Sequence, residues 1–173
     1  FIDHNADALA RAEYSIGIGS KYHSFALFVI NAGIGLGLVL NNNVYKGMNG
    51  LGCEIGHTSI DINGRLCSCG NRGCLELYAS TSAVLYNAGQ IQKDIITWQG
   101  LVNRAYDGDN FCNGLLDDQA HYLAHSIINL NNLLELNAVI VTGIGAYRGQ
   151  LLIDKIKSHV EKGIISRNIR NLV

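Results

Sequence analysis

The sequence predicts an α/β protein, and three observations carry that prediction. Runs rich in β-branched and aromatic residues alternate with segments whose apolar residues recur at helical spacing. One run, Asn137-Ala-Val-Ile-Val-Thr142, is apolar on both faces, as a buried central strand must be. Apolar residues make up 48% of the 173 residues and charged residues 16%, which suits one folded domain and is too little charge for a disordered chain.

The elements follow in order. Residues 3–17 read as a helix, with Ala6, Leu9, Ala10, Glu13 and Tyr14 at helical spacing and Asp3 as its N-cap. After a break over Gly17–Lys21, residues 23–30 are rich in β-formers and read as a strand. Residues 31–35 form a glycine-marked turn, 36–40 the returning strand, and Asn41-Asn42-Asn43 turns into a short strand at Val44-Tyr45. Residues 23–45 are therefore an antiparallel meander. Gly47–Gly56 holds four glycines in ten residues and reads as a loop, Thr58–Asp61 as a strand, and 62–73 as a cysteine-bearing loop. Helices are expected at 74–91, 94–107 and 111–134, the last with a sustained apolar face that includes Leu116, Leu123 and Ile127. The strand 137–142 ends in the turn Gly143-Ile-Gly145, and a final helix over 150–163 turns Leu151, Leu152, Ile156 and Val160 inward. There is no proline, so every turn falls to Gly, Asn, Asp or Ser.

Composition also bounds function. A net charge of −1 does not suit a nucleic-acid-binding surface, which is usually basic. No window of 18 apolar residues indicates a membrane span, and no basic segment followed by an apolar run indicates a secretory signal. The chain starts at Phe1 within apparent core structure and stops just after a helical pattern, which is expected of a piece of a longer protein.

The cysteines carry chemistry. There are five, an odd number, and three of them, Cys67, Cys69 and Cys74, lie within eight residues. A secreted disulfide framework prefers even, dispersed cysteines, so a reducing, cytoplasmic setting with a metal site fits better. Together with His57 these three offer the Cys3His set that zinc takes in structural sites. Gly70 and Gly73 let the loop bend back so that Cys74 completes the set. A Cys67–Cys69 disulfide would close too tight a ring. Cys53 and Cys112 have no partner pattern and read as small buried hydrophobes.

The pattern Gly33-Ile-Gly-Leu-Gly37, then Glu54-Ile-Gly-His57, then Cys67-Ser-Cys-Gly-Asn-Arg-Gly-Cys-Leu-Glu76 resembles the signature of the ROK family of repressors and sugar kinases. The resemblance extends across nearly the whole chain. It implies the actin-like, ribonuclease-H-like ATPase fold, of which residues 1–173 would form one C-terminal lobe with a mixed sheet, packed helices and an inserted zinc loop. It also implies that the N-terminal lobe and any DNA-binding domain lie outside this chain, and that the protein forms a homodimer. By the same resemblance Glu54 and Glu76 accept hydrogen bonds from sugar hydroxyls, and His57 both touches sugar and ligates the structural zinc; the glycine pattern Gly33, Gly35 and Gly37, which joins two strands rather than preceding a helix, is the candidate phosphate loop. Carboxylates suit adjacent hydroxyls because each offers several acceptor sites.

Two positions depart from the family's kinases. Their Asn-Asp pair, whose Asp is the general base, falls on His4-Asn5, and Asn5 can hydrogen-bond a hydroxyl but cannot take its proton. Asp3 and Asp7 lie nearby, Asp7 on another side of the helix. The kinase turn Gly-Thr-Gly reads Asn31-Ala32-Gly33, without the hydroxyl. No catalytic residue is therefore assigned. The expected function is the effector lobe of a transcriptional regulator of the N-acetylglucosamine and xylose repressor type, binding a sugar or sugar phosphate and reaching DNA only through a domain outside this chain. The alternative is an ATP-dependent kinase of the glucokinase or N-acetylhexosamine kinase type. His121 and His125, four apart on a helix with no third ligand, read as polar-face residues, and Trp98 as a packing anchor.

Overall fold

The computed structural model describes residues 5–163 and the backbone of 171–172. Asp3 and His4 lie outside the described residues. Helix α1 (Asn5–Ile16) precedes strands β1 (Phe25–Ile30), β2 (Ile34–Leu40) and β3 (Asn43–Tyr45). Helices α2 (Glu76–Ala79), α3 (Thr81–Ile91), α4 (Trp98–Tyr106) and α5 (Asn110–Leu134) follow, then β4 (Ala138–Thr142), α6 (Gln150–Val160) and β5 (Asn171–Leu172).

The five strands form one mixed sheet in the order β3-β2-β1-β4-β5. β1–β2 and β2–β3 are antiparallel, whereas β1–β4 and β4–β5 are parallel. The expected meander thus shares its sheet with the strand after the long helix. β1 is buried at every position because both faces of the sheet are covered. Ala26, Phe28 and Ile30 pack under α5 and α6 with Leu123, Ile127, Leu152 and Ile156. Phe25, Leu27 and Val29 face α1 through Ala6 and Ala10. A satellite core joins α3, α4 and the start of α5 around Trp98, 3% exposed, so Trp98 is the packing anchor expected.

Several boundaries differ from the sequence reading: the strand expected from 23 starts at Phe25 and the helix expected from 94 starts at Trp98. Residues 58–61 are not a strand. They make one isolated bridge, Ser59 to Cys74, and then Asp61 turns the chain, accepting from Gly64 N through its carbonyl and from Asn63 N through its side chain. The helix expected over 74–91 breaks at Ser80, which is extended (ψ 157) and caps the next helix by accepting from Ala83 N at 3.1 Å. β2 starts at Ile34, so Gly35 joins Gly37 as a strand residue and only 31–33 remain as the turn.

Gly37 is where α1 rests on the sheet. A Cβ there would strike the carbonyl oxygen of Ala6 and stand 2.6 Å from Ala10 Cβ. Gly37→Ala is expected to destabilise the protein by about 1–3 kcal/mol, the cost of overpacking. Gly114, inside α5, has nothing within 4 Å of the same added atom, so Gly114→Ala is expected to stabilise by about 0.5–1 kcal/mol. Urea unfolding of the two variants checks the opposite signs.

Candidate functional site

The loop from His57 to Cys74 is folded by its own backbone. Cys67 N donates to Asn71 O at 2.8 Å, Gly70 N to Cys67 O at 3.0 Å and Gly73 N to Arg65 O at 2.8 Å. Gly70 (φ +91) and Gly73 (φ +67) take left-handed conformations, and a Cβ on Gly73 would strike Asp61 O. The loop is thereby closed on itself, and it brings His57, Cys67, Cys69 and Cys74 together with one ligand atom of each within 4.8 Å of the others. Cys69 and Cys74 sulfurs are 3.6 Å apart, and Cys67 Sγ is 3.6 Å from His57 Nδ1. Metal–sulfur bonds of about 2.3 Å at tetrahedral angles put two sulfurs about 3.8 Å apart. The donor set and its spacing therefore fit a tetrahedrally bound metal ion, and the cysteines are not disulfide-bonded.

Without a cation the group is electrostatically uncomfortable. Burial pushes the Cys74 thiol up to about 12, whereas a backbone N–H of Asn71 holds Cys69 below the ordinary thiol value. The hydrogen bond with Cys67 raises His57. A bound cation reverses the penalty on Cys74 by favouring the thiolate.

Glu76, the first residue of α2, reaches back to this group. Its Oε1 lies 3.6 Å from His57 Nδ1 and accepts from Cys67 Sγ at 3.5 Å, and its Oε2 is 3.3 Å from where a Cβ on Gly33 would stand. Glu76 thus bridges the metal-ligating loop and the β1–β2 turn. It also lines a cavity of about 320 Å³ with Ala32, Arg65, Ser82 and Tyr86. The guanidinium of Arg65 stacks 4.5 Å above the Tyr78 ring on the same side.

Glu54 and Asn5 approach β2 from other directions. Glu54 precedes the 3-10 turn Ile55–His57, which sits so close to β2 that a Cβ on Gly56 would strike Ile34 O. Its side chain lines a separate, largely apolar groove of about 510 Å³ between Leu36, Leu38, Leu40, Leu130 and Leu134. Asn5 opens α1, whose Ala6 Cβ lies 3.5 Å from a Cβ position on Gly35. Three of the elements carrying sequence-selected residues therefore converge on the start of β2. Glu76 and His57 come together, whereas Glu54 faces a different cavity from Glu76.

Other candidates are placed as follows. Gly33 lies in the β1–β2 turn beside Glu76, while Gly35 and Gly37 lie under α1. Cys112 is fully buried, as expected, but Cys53 is only half-buried and has φ +66. Burial, with the carboxylates of Asp7 and Glu54 nearby, pushes its thiol up to about 11. Asp7 is 6% exposed and close enough to Cys53 to raise its thiol, a placement its position on another side of the helix only hinted at. His121 and His125 are exposed, as expected, and the His121 ring packs edge-on against His159 at 5.2 Å. Sequence reasoning missed what the Asn31 side chain does. Its Oδ1 accepts from Ile144 N at 2.8 Å, 113 residues away in sequence, a partner that no local signal reveals.

The ROK family pattern matches residues 1–173. The chain is 33% identical over 167 residues to the xylose repressor of Bacillus subtilis (strain 168), covering 96% of this chain and 43% of that protein. Its fold superposes with a TM-score of 0.90 on a ROK family glucokinase from Streptomyces griseus in complex with glucose and AMPPNP (24% identity, 99% of this chain and 62% of the other). It superposes at 0.88 on a ROK family transcriptional regulator homologous to the E. coli MLC protein (25% identity, 100% of this chain and 46% of the other). The fold is the actin-like α/β fold expected, with its Cys/His cluster. The chain spans about half the length of these relatives. Among the described residues no helix is long and apolar enough to cross a membrane.

Proposed function

Because this chain belongs to the ROK family, we propose that it is the sugar-sensing C-terminal lobe of a transcriptional regulator, binding a sugar or sugar phosphate without phosphorylating it. The observation that carries this reading is Asn5. It stands at the head of α1, where the resemblance places the kinases' general base, and an amide cannot take the proton of an attacking hydroxyl. Asp7 does not replace it, because it is buried, near Cys53. Ala32 adds no hydroxyl for a phosphate. The similarity to a xylose repressor supports the same reading.

Glu76, which lines a cavity of about 320 Å³, His57, 3.6 Å from it, and Glu54 and Asn5, on the elements that meet the start of β2, are the proposed sugar contacts. The metal is proposed to be zinc, held by His57, Cys67, Cys69 and Cys74, and its role is to fix the loop from which His57 and Glu76 are presented. The lobe would work in the cytoplasm as part of a homodimer, with DNA contacted by a domain outside this chain. Sugar binding acts as a switch if one arrangement of the two lobes binds the sugar more tightly than the other.

Calorimetric titration of the full-length protein with hexoses, pentoses and amino sugars tests the binding claim. Heat is expected with one class of sugar. Glu54→Ala is expected to weaken that binding about 10–100-fold, the range for hydrogen bonds to a charged group. No heat with any sugar, or an unchanged affinity in Glu54→Ala, would refute the assignment. The 30% identity over 181 residues to the glucokinase of Halalkalibacterium halodurans (96% of this chain, 55% of that protein) favours the kinase reading instead, and phosphorylation of the bound sugar by the unaltered protein would establish it.

A further inference from the structure

β1 and β4 are adjacent and parallel, so the turns that follow them, 31–33 and 143–145, leave the same edge of the sheet. In α/β sheets that edge is where ligands collect, and backbone N–H groups exposed in its turns bind anions. Here the backbone N–H of Ile144, a residue 52% exposed, is already engaged, since it donates to Asn31 Oδ1 at 2.8 Å. The same oxygen stands 2.7 Å from where a Cβ on Gly143 (φ +90) would lie, so the carboxamide fills the space that this glycine leaves. The Asn31 backbone is held on both sides, its N–H donating to Gly33 O and its carbonyl accepting from Thr81 N, each at 2.9 Å. Asn31 is not among the residues with positive φ, so its backbone does not call for asparagine. What the residue type supplies is the side-chain bond across the two turns.

We propose that the Asn31 carboxamide acts as an internal plug, occupying the backbone amide of Ile144 and closing the crevice at the carboxyl ends of β1 and β4 to the phosphates of a nucleotide. The proposal rests on the sensor reading and deepens it. Asn31 is the residue that sets the lobe against nucleoside polyphosphates while Glu54, Glu76 and His57 stay available to sugar. A neutral acceptor stands where a phosphate oxygen would otherwise receive the same N–H. Ala32, next in the turn, brings no hydroxyl to compensate.

The test titrates Mg-AMPPNP and Mg-pyrophosphate into the full-length protein and into its Asn31→Gly, Asn31→Ala and Asn31→Asp variants. Both Asn31→Gly and Asn31→Ala are expected to bind at least tenfold more tightly than the unaltered protein. Asn31→Asp keeps the acceptor and adds a negative charge, so it is expected to gain nothing. Alanine suits the observed backbone, so Asn31→Ala answers the question even where Asn31→Gly fails to fold. Equal affinity of the unaltered protein and the Gly and Ala variants, whether all bind or none does, overturns the proposal, and so does an equal gain in Asn31→Asp. Sugar heat is read in the same samples. Its absence from the unaltered protein counts against the sensor reading, whereas the plug is judged on the nucleotide titrations alone.

Discussion

Cys69→Ala is expected to remove the metal and sugar binding together. Cys69 is the exposed member of the group, so its loss removes a ligand without opening a hole in the core. Changes in the shell around a metal's ligands cost about 10–100-fold in affinity, and loss of a ligand itself is expected to cost at least that. Glu76 leans on His57 and Cys67, so without the ion the group no longer holds the His57 and Glu76 side chains in register. Metal analysis of the purified protein is expected to give one zinc per chain, and of Cys69→Ala well under half of that, with sugar heat gone. A fully folded protein that binds sugar with no metal would refute this coupling. The ligands must be deprotonated to bind, so metal affinity falls as pH falls, and acidification is expected to release metal and sugar in one transition.

The ligand cluster was legible in the sequence because it is local. Cys67, Cys69 and Cys74 are joined by a short loop with glycines at the bends, and the pattern itself specifies the chemistry. The meander, the long helix and the buried strand β4 were legible from period and composition. What escaped depends on contacts between distant residues. Gly35 reads as the end of a turn, yet it lies in β2 with Ala6 of α1 against it. The break at Ser80 follows from a cap stronger than the helical pattern around it. Glu54 and Glu76 share the family signature but line different cavities, which no spacing along the chain could reveal.

Asn5→Asp carries the second large effect. If the missing base accounts for about 10²–10⁴-fold in rate, restoring it lowers the barrier by about 3–6 kcal/mol. Asn5 is exposed at the start of α1, so the change does not disturb packing, and an acidic residue in the first turn suits the helix. Alone, the variant still faces the Asn31 plug and lacks a hydroxyl at position 32. Its activity is expected to be detectable but slow, and to rise further when Asn31→Gly is added. A coupled ADP-release assay reads both steps.

The measurement closest to the central claim is ATP turnover by the unaltered full-length protein in the presence of each sugar that gives binding heat. The account predicts saturable sugar binding with no ADP release above background. Steady turnover at ordinary kinase rates, about 1–100 s⁻¹, on any of those sugars would contradict it and make the protein an enzyme.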